Sequence, residues 1–341
     1  MADRDVVIVG AGPAGTAAAI LCAQRGLRVT LLEQAAFPRS RPGETLPPGV
    51  EAVLDQLGIA QAINQGGFLR HPGHAVKWAG ERLFSAFGES ASGPALGYQI
   101  PRETLDSLLL ARAAGLGVDV VQPCRVLGVL HDRQQVCGVS TAQGDLLAAW
   151  VIDASGGNGW LSRQLGLPWR TYSPRLLAHY GYATGDLPEG AEVCGIEADP
   201  IGWYWMAKIR SDFYHWTRLC FINAGHHQAV PPAVFKPLRA RGPVRGADVT
   251  WRLCQQASGD GFFIAGDSAF VLDPSSGHGV LKALMTGMMA AHAVVESLST
   301  PWHVLSIQQQ YQYWINDWFN RDRLKMREFY RTHPFAPEWC D

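Results

Sequence analysis

Cysteine is scarce and unpaired in this 341-residue sequence. The seven residues (Cys22, Cys124, Cys137, Cys194, Cys220, Cys254 and Cys340) are scattered, odd in number and form no C-x-x-C pair. That spacing speaks against a disulfide framework or a zinc site and for a reducing compartment. An excess of charge is missing too: 29 Lys and Arg face 30 Asp and Glu. No bulk field therefore attracts nucleic acid or an anionic membrane. No segment approaches the ~18 uninterrupted apolar residues of a membrane span. The apolar start lacks a basic leader and is interrupted by glycines, unlike a signal peptide. A cytoplasmic location is the expectation. Length and a 47% hydrophobic content suit a large core and about two domains.

The N-terminus carries the strongest local signal. Residues 5–33 run as an apolar strand, the turn Gly10-Ala11-Gly12-Pro13-Ala14-Gly15, a small-residue helix, a second apolar stretch and Glu33. Gly10 permits the tight turn, Gly12 lets the backbone approach a diphosphate, and Gly15 lets helix and strand pack closely. An anion is favoured at the helix N-terminus, where free N–H groups and the dipole converge. Glu33 stands about 20 residues on, where an acid accepts from a ribose hydroxyl. Gly10, Gly12, Ala14, Gly15 and Glu33 are thus candidate dinucleotide-binding positions.

Four further motifs follow. They are the Pro/Gly-rich loop Phe-Pro-Arg-Ser-Arg-Pro-Gly-Glu-Thr-Leu-Pro-Pro-Gly at 37–49, before a helix at 50–57, and an amphipathic helix entered through Arg102. A strand ends in Asp153, and residues 261–283 read Gly-Phe-Phe-Ile-Ala-Gly-Asp-Ser-Ala-Phe-Val-Leu-Asp-Pro-Ser-Ser-Gly-His-Gly-Val-Leu-Lys-Ala. In this order, and along nearly the whole chain, they resemble the FAD-dependent monooxygenase and halogenase superfamily. The resemblance implies an α/β fold with a Rossmann-like FAD-binding domain of the p-hydroxybenzoate hydroxylase type. An interleaved β-rich substrate domain and a helical C-terminus complete it. It places Gly266 and Asp267 at the ribityl chain, and Asp273, Pro274, Gly277 and Gly279 beside the isoalloxazine. Arg41 and Arg102 fall where family members hold the flavin or its phosphates. A strand at 262–265 followed by a helix from about 279 would aim a positive helix end at the reduced flavin's negative charge. The interleaving assigns 1–68, 97–175 and 250–300 to the FAD domain, 69–96 and 176–249 to the substrate domain, and 301–341 to a helical segment. The proline-bearing stretch 231–246 reads as a surface crossing.

Within that superfamily, hydroxylation and halogenation both proceed through a flavin C4a-hydroperoxide; a halogenase then delivers hypohalous acid through a lysine. The halogenase hallmark Trp-x-Trp-x-Ile-Pro has a near match in Trp203-Tyr204-Trp205-Met206-Ala207-Lys208, with Ile-Pro replaced. The delivering lysine should precede Trp78, but Arg70 and His71 occupy that region. Lys77 remains the candidate amine, beside the plain reading of a solvated strand lysine. An arginine cannot readily form a nucleophilic amine. Loop wording around Glu44 and after Asp273 is similar to the small flavoproteins that accompany amine and amino-acid oxidases in tryptophylquinone formation. The leading expectation is hydroxylation of an aromatic substrate, with a tryptophan of a partner oxidase precursor as its specific form. A halogenase and a flavin-bearing assembly factor without oxygenase activity stand as alternatives, and a saturated-bond reductase is a further relative. No second Gly-x-Gly-x-x-Gly follows a strand, so a separate pyridine-nucleotide domain is not expected. NAD(P)H docking directly at the flavin and a separate flavin reductase as partner are the two open routes to reduced FAD.

Candidate chemistry-bearing side chains are His278, as orienter or proton shuttle, and Glu44, as flavin contact or loop pin. Lys77 and Trp205 join them, and Lys282 is an outside candidate whose first-turn charge needs an anionic partner. Trp203 and Trp205 share one strand face, as a substrate wall or as ordinary core. His226-His227 lacks a third ligand at metal spacing. Ser155 lacks a nucleophile elbow.

Overall fold

The computed structural model describes residues 4–78, 80–90, 93–188, 194–221 and 230–340. In chain order the elements that position the site are β1 (Arg4–Val9), α1 (Pro13–Gln24), β2 (Val29–Leu32), α2 (Val50–Gln56), β3 (Gly73–Lys77), β4 (Leu83–Ala86), α3 (Arg102–Gly115), β5 (Asp119–Val121), β6 (Val126–Asp132), β7 (Gln135–Thr141) and β8 (Gly144–Asp153). There follow β9 (Leu177–Thr184), β10 (Cys194–Asp199), β11 (Gly202–Arg210), β12 (Phe213–Cys220), β13 (Arg239–Ala240), β14 (Arg245–Asp248), β15 (Phe262–Ile264), α4 (Gly279–Ser299) and α5 (Val304–Arg331).

The first sheet has the order β5-β2-β1-β8-β7-β6, with β15 added on β8. Its centre is parallel: β1 pairs with β2 and β8, and β8 with β15. Parallel strands covered on both faces read as continuous apolar runs, and Val6, Val7, Ile8, Val151 and Ile152 are fully buried. Helix α1 is enclosed almost all round, and its alanines make close approach possible. A Cβ on Gly287 of α4 would overlap the Ala14 carbonyl oxygen, and one on Gly15 would overlap that of Gly10. The late helix α4 is thereby locked onto the first turn of α1.

The second sheet runs β13-β9-β12-β11-β10-β3-β4, with β14 also paired to β9. Its pairs are antiparallel except for β3 with β10. The stretch 231–246 departs from a plain surface crossing: β13 and the start of β14 lie within it and border β9. Backbone groups there find ladder partners despite the prolines, which stand outside the paired residues. One face of this sheet packs Trp203, Ile196, Ala178 and Leu219 against Met326 and Tyr330 of α5. Among the described residues no helix is long and apolar enough to cross a membrane.

Candidate functional site

The β1–α1 turn is built around a missing side chain. Gly10 has φ +101°, and a Cβ there would overlap the Ala154 carbonyl oxygen. Gly12 caps α1 in extended backbone with no side-chain cap, leaving the helix's first amides free for an acceptor from outside. The Glu33 carboxylate is buried and accepts from the Ala11 and Ala35 backbone N–H groups at 2.9 and 3.0 Å. Arg39, which the sequence reading passed over, reaches this cradle. Its guanidinium stands 3.8 Å from Glu33 and 3.5 Å from Asp106. One terminal nitrogen lies 3.5 Å from where a Gly12 Cβ would be, and its Nε is buried without a hydrogen-bond partner among the described residues. Burial pushes the Arg39 pKa down, against the pull of Asp106 and Glu33. An orphaned guanidinium N–H beside an uncapped helix start fits a diphosphate.

The two arginines chosen from sequence sit differently. Arg102 is largely buried, with 11% of its side chain exposed; it forks onto Asp106 at 2.9 and 3.0 Å and donates to the Pro42 carbonyl at 2.7 Å. It holds the 39–44 loop in place. Arg41 is exposed on that loop, and its carbonyl accepts from the Tyr182 hydroxyl at 3.3 Å. A charge in sequence could mark the loop; only the fold decides that Arg39 turns inward.

The late motif closes on the same cradle. Gly266, with φ +64°, would place a Cβ 3.0 Å from that of Ala14, and its N–H donates to Thr286 Oγ1 at 2.8 Å. The Asp267 carboxylate is 51% exposed and pairs through one oxygen with Lys282 Nζ at 2.5 Å. Lys282 also donates to the Phe270 carbonyl at 3.0 Å. The anionic partner demanded by its first-turn position is therefore Asp267. Pro274 is exposed, and Cβ atoms added at Gly277 or Gly279 would meet nothing within 4 Å. This open lip can admit a planar ring. His278 is exposed at the start of α4, within electrostatic reach of Asp322 and Lys325 on α5.

Beneath the lip, Asp273 is a fully buried carboxyl group with four donors. It accepts from Trp251 Nε1 at 2.7 Å, the Tyr330 hydroxyl at 2.8 Å, Ser275 Oγ at 2.7 Å and Ser275 N at 2.9 Å. Burial pushes its carboxyl pKa up, and these donors oppose the shift. Tyr330 accepts in turn from Trp203 Nε1 at 2.9 Å. Trp203 is 0% exposed, so the first tryptophan of the near-hallmark is core. Trp205 is partly buried at the margin of the same cluster, with its ring 6.4 Å from that of His74.

A second buried polar group joins the 39–44 loop to the second sheet. Glu44 accepts from the Tyr182 hydroxyl at 2.6 Å and from Gly43 N at 2.9 Å. His215 Nδ1 lies 3.7 Å from Glu44, and its Nε2 lies 3.3 Å from Thr217 Oγ1. Burial pushes the His215 pKa down, with Glu44 opposing. It pushes the Tyr182 phenol up, and Glu44 adds to that.

The region expected to carry a halogenase amine is occupied otherwise. Arg70 pairs with Glu51 at 2.9 Å, donates to the Leu96 and Gly97 carbonyls, and lies 3.6 Å over the Tyr98 ring. His71 is buried, with Nδ1 2.9 Å from the Gly73 carbonyl oxygen. Lys77 is exposed and pairs with Glu197 of the neighbouring strand at 2.8 Å. His226 and His227 lie outside the described residues, and Ser155 bonds into the Asp153–Ser268 turn. Among the described residues no group of three or more His, Cys, Asp or Glu could hold a metal.

Residues 3–213 match the family described as FAD binding domain. The chain belongs to that family. It is an FAD-dependent oxidoreductase of the monooxygenase and halogenase superfamily, with FAD as cofactor. Among curated proteins it is similar to the Tryptophan 2-halogenase of Chondromyces crocatus, 27% identical over 96% of this chain and 68% of that one. Among solved structures, CmlS, a flavin-dependent halogenase, has a TM-score of 0.86 at 25% identity, covering 99% of this chain and 67% of CmlS. The peptidyl tryptophan dihydroxylase QhpG, essential for tryptophylquinone cofactor biogenesis, shares the fold with a TM-score of 0.76 at 22% identity. That match covers 99% of this chain and 78% of QhpG.

Proposed function

We propose that this protein is an FAD-dependent monooxygenase that hydroxylates an aromatic group, specifically a tryptophan side chain of a partner protein. The observation that carries the choice over halogenation is the state of Lys77. Its amine is on the outside of the second sheet, paired with Glu197, and Arg70 and His71 supply no substitute. The likeness to QhpG supports the peptidyl substrate through the shared fold.

In this reading Gly10, Gly12, Ala14 and Gly15 shape the diphosphate cradle, Arg39 neutralises it, and Glu33 accepts from the ribose. Arg102 acts through the loop it holds, and Arg41 stands at the loop's surface. Gly266 and Asp267 face the ribityl chain, while Pro274, Gly277 and Gly279 border the ring system. Bound FAD supplies the activation of dioxygen. The protein's own work is to fix the ring against the start of α4, whose N-terminal dipole favours negative charge there. It also excludes water and admits the substrate ring. Glu44, held by Tyr182, keeps the 39–44 loop closed against the second sheet. His278, at the exposed lip, is placed to orient substrate or pass a proton.

The halogenase reading stands second because curated relatives carry that activity in their names. Oxygen uptake by the FAD-loaded protein, driven by a flavin reductase, tests the substrate class. Uptake should couple to product with a tryptophan-containing peptide and release only hydrogen peroxide with free tryptophan. Equal coupling with free tryptophan would remove the peptidyl substrate.

A further inference from the structure

A cleft of about 200 Å³ opens where the 39–44 loop meets β9 and β14, lined by Ser40, Tyr180, Tyr182, Arg241 and Arg245. The two arginines flank the turn at residues 242–244 and are both exposed. Neither makes an ion pair or a side-chain hydrogen bond among the described residues. Among the described residues no acid lines the cleft, and two acids close to it along the chain or behind its wall are committed elsewhere. Asp248, three residues along β14, pairs with Arg252 at 3.1 Å. Glu44, behind the wall, is buried and takes the Tyr182 hydroxyl. The Tyr180 hydroxyl is likewise without a hydrogen-bond partner among the described residues.

The cleft thus presents two uncommitted guanidinium groups, a serine hydroxyl and a free phenol, and no uncommitted carboxylate. The chain's formal net charge is −1, so the pair is not explained by an overall excess of basic residues. Guanidinium forks match the planar oxygens of carboxylate and the oxygens of phosphate. At about 200 Å³ the space lies below the roughly 300–1,000 Å³ of pockets that enclose a whole drug-sized ligand. It suits one anionic group with one ring or less attached.

We propose that this cleft is an oxyanion-binding site, taking a carboxylate or phosphate group, with Arg241 and Arg245 as the pair that reads the charge. Ser40 adjoins Arg39 in sequence, so the cleft and the diphosphate cradle share one loop. Filling the FAD site first keeps the two anion sites apart in the test, and the inference stands whichever reaction the enzyme performs.

The experiment is calorimetric titration of FAD-loaded protein, its flavin content checked by absorbance, with inorganic phosphate and separately with benzoate. Arg241→Ala and Arg245→Ala should each weaken binding by about tenfold or more, as loss of a charge-assisted contact implies. Lys236→Ala, a nearby cation outside the cleft, should leave it unchanged, and added salt should weaken the wild type. Heat from phosphate alone identifies a phosphate-bearing ligand, and heat from benzoate alone a carboxylate-bearing one. No binding of either anion at millimolar concentration, or binding insensitive to both arginine variants, overturns the proposal.

Discussion

The indole N–H of Trp203 donates to the phenolic oxygen of Tyr330 at 2.9 Å, joining the middle of the second sheet to the C-terminal helix. Tyr330 passes that link to Asp273 at 2.8 Å, immediately before the open lip at Pro274. The near-hallmark strand therefore reaches the lip through a buried hydrogen-bonded chain. Tyr330→Phe removes the hydroxyl, leaves the Trp203 indole N–H without its acceptor in a dry interior, and takes one of the four donors from Asp273, whose Oδ2 keeps only Trp251. The expected loss is roughly 1–3 kcal/mol of stability, read by chemical denaturation. Trp203→Leu should cost more, by cavity formation, on the order of 3–5 kcal/mol. Trp205→Leu, at the cluster's margin, should cost clearly less than Trp203→Leu. Equal losses at the two tryptophans would contradict the assignment of Trp203 alone to the core.

Arg39 offers a separate check on the cofactor cradle. Arg39→Gln keeps a polar side chain of similar reach but removes the charge facing Gly12. FAD affinity should fall by roughly 1.5–3 kcal/mol of binding free energy, and its salt dependence should flatten. Gly12→Val should block the diphosphate approach altogether. Flavin fluorescence titration measures both; an Arg39→Gln protein that binds FAD normally would return the role to Arg41 or Arg102.

Stability should depend on pH through the buried histidines. Burial lowers the folded-state pKa of His71, His74 and His215. In the unfolded chain these groups take up protons near the ordinary value of 6.5, while the folded chain resists. The unfolded state then binds more protons, so stability is lost as pH falls below that value and is retained above it. Melting temperature should drop on acidification from neutrality, and His215→Gln should flatten the drop. A melting temperature that rises on acidification would show the opposite coupling.

Much of the flavin half was legible because its signals are local. Glycines at fixed offsets, an acid after the second strand and a Gly-Asp after the last one each report backbone needs over a few residues. The identity of the inward arginine was not, because Arg39 and Arg41 are two residues apart in a loop with no periodicity. Which of them turns inward depends on Asp106, far along the chain. The Asp273–Tyr330–Trp203 chain was equally hidden: its members come from three distant segments, and nothing near Tyr330 marks it. The paired tryptophans were correctly placed on one face, yet alternation alone could not say what covers that face.

Lys77 should be dispensable. An exposed pair such as Lys77–Glu197 contributes about 0–1 kcal/mol, so Lys77→Ala should keep its fold, its FAD and its oxygen uptake. Loss of all product formation in a folded, flavin-loaded Lys77→Ala protein would mark that amine as part of the chemistry.

The most direct measurement is product analysis with FAD-loaded protein, a flavin reductase, isotopically labelled dioxygen, bromide and a tryptophan-containing peptide in one vessel. The account predicts labelled oxygen on the indole and no bromine in the peptide, with the same yield when bromide is omitted. Brominated peptide, formed in proportion to bromide and without label on the ring, would contradict it.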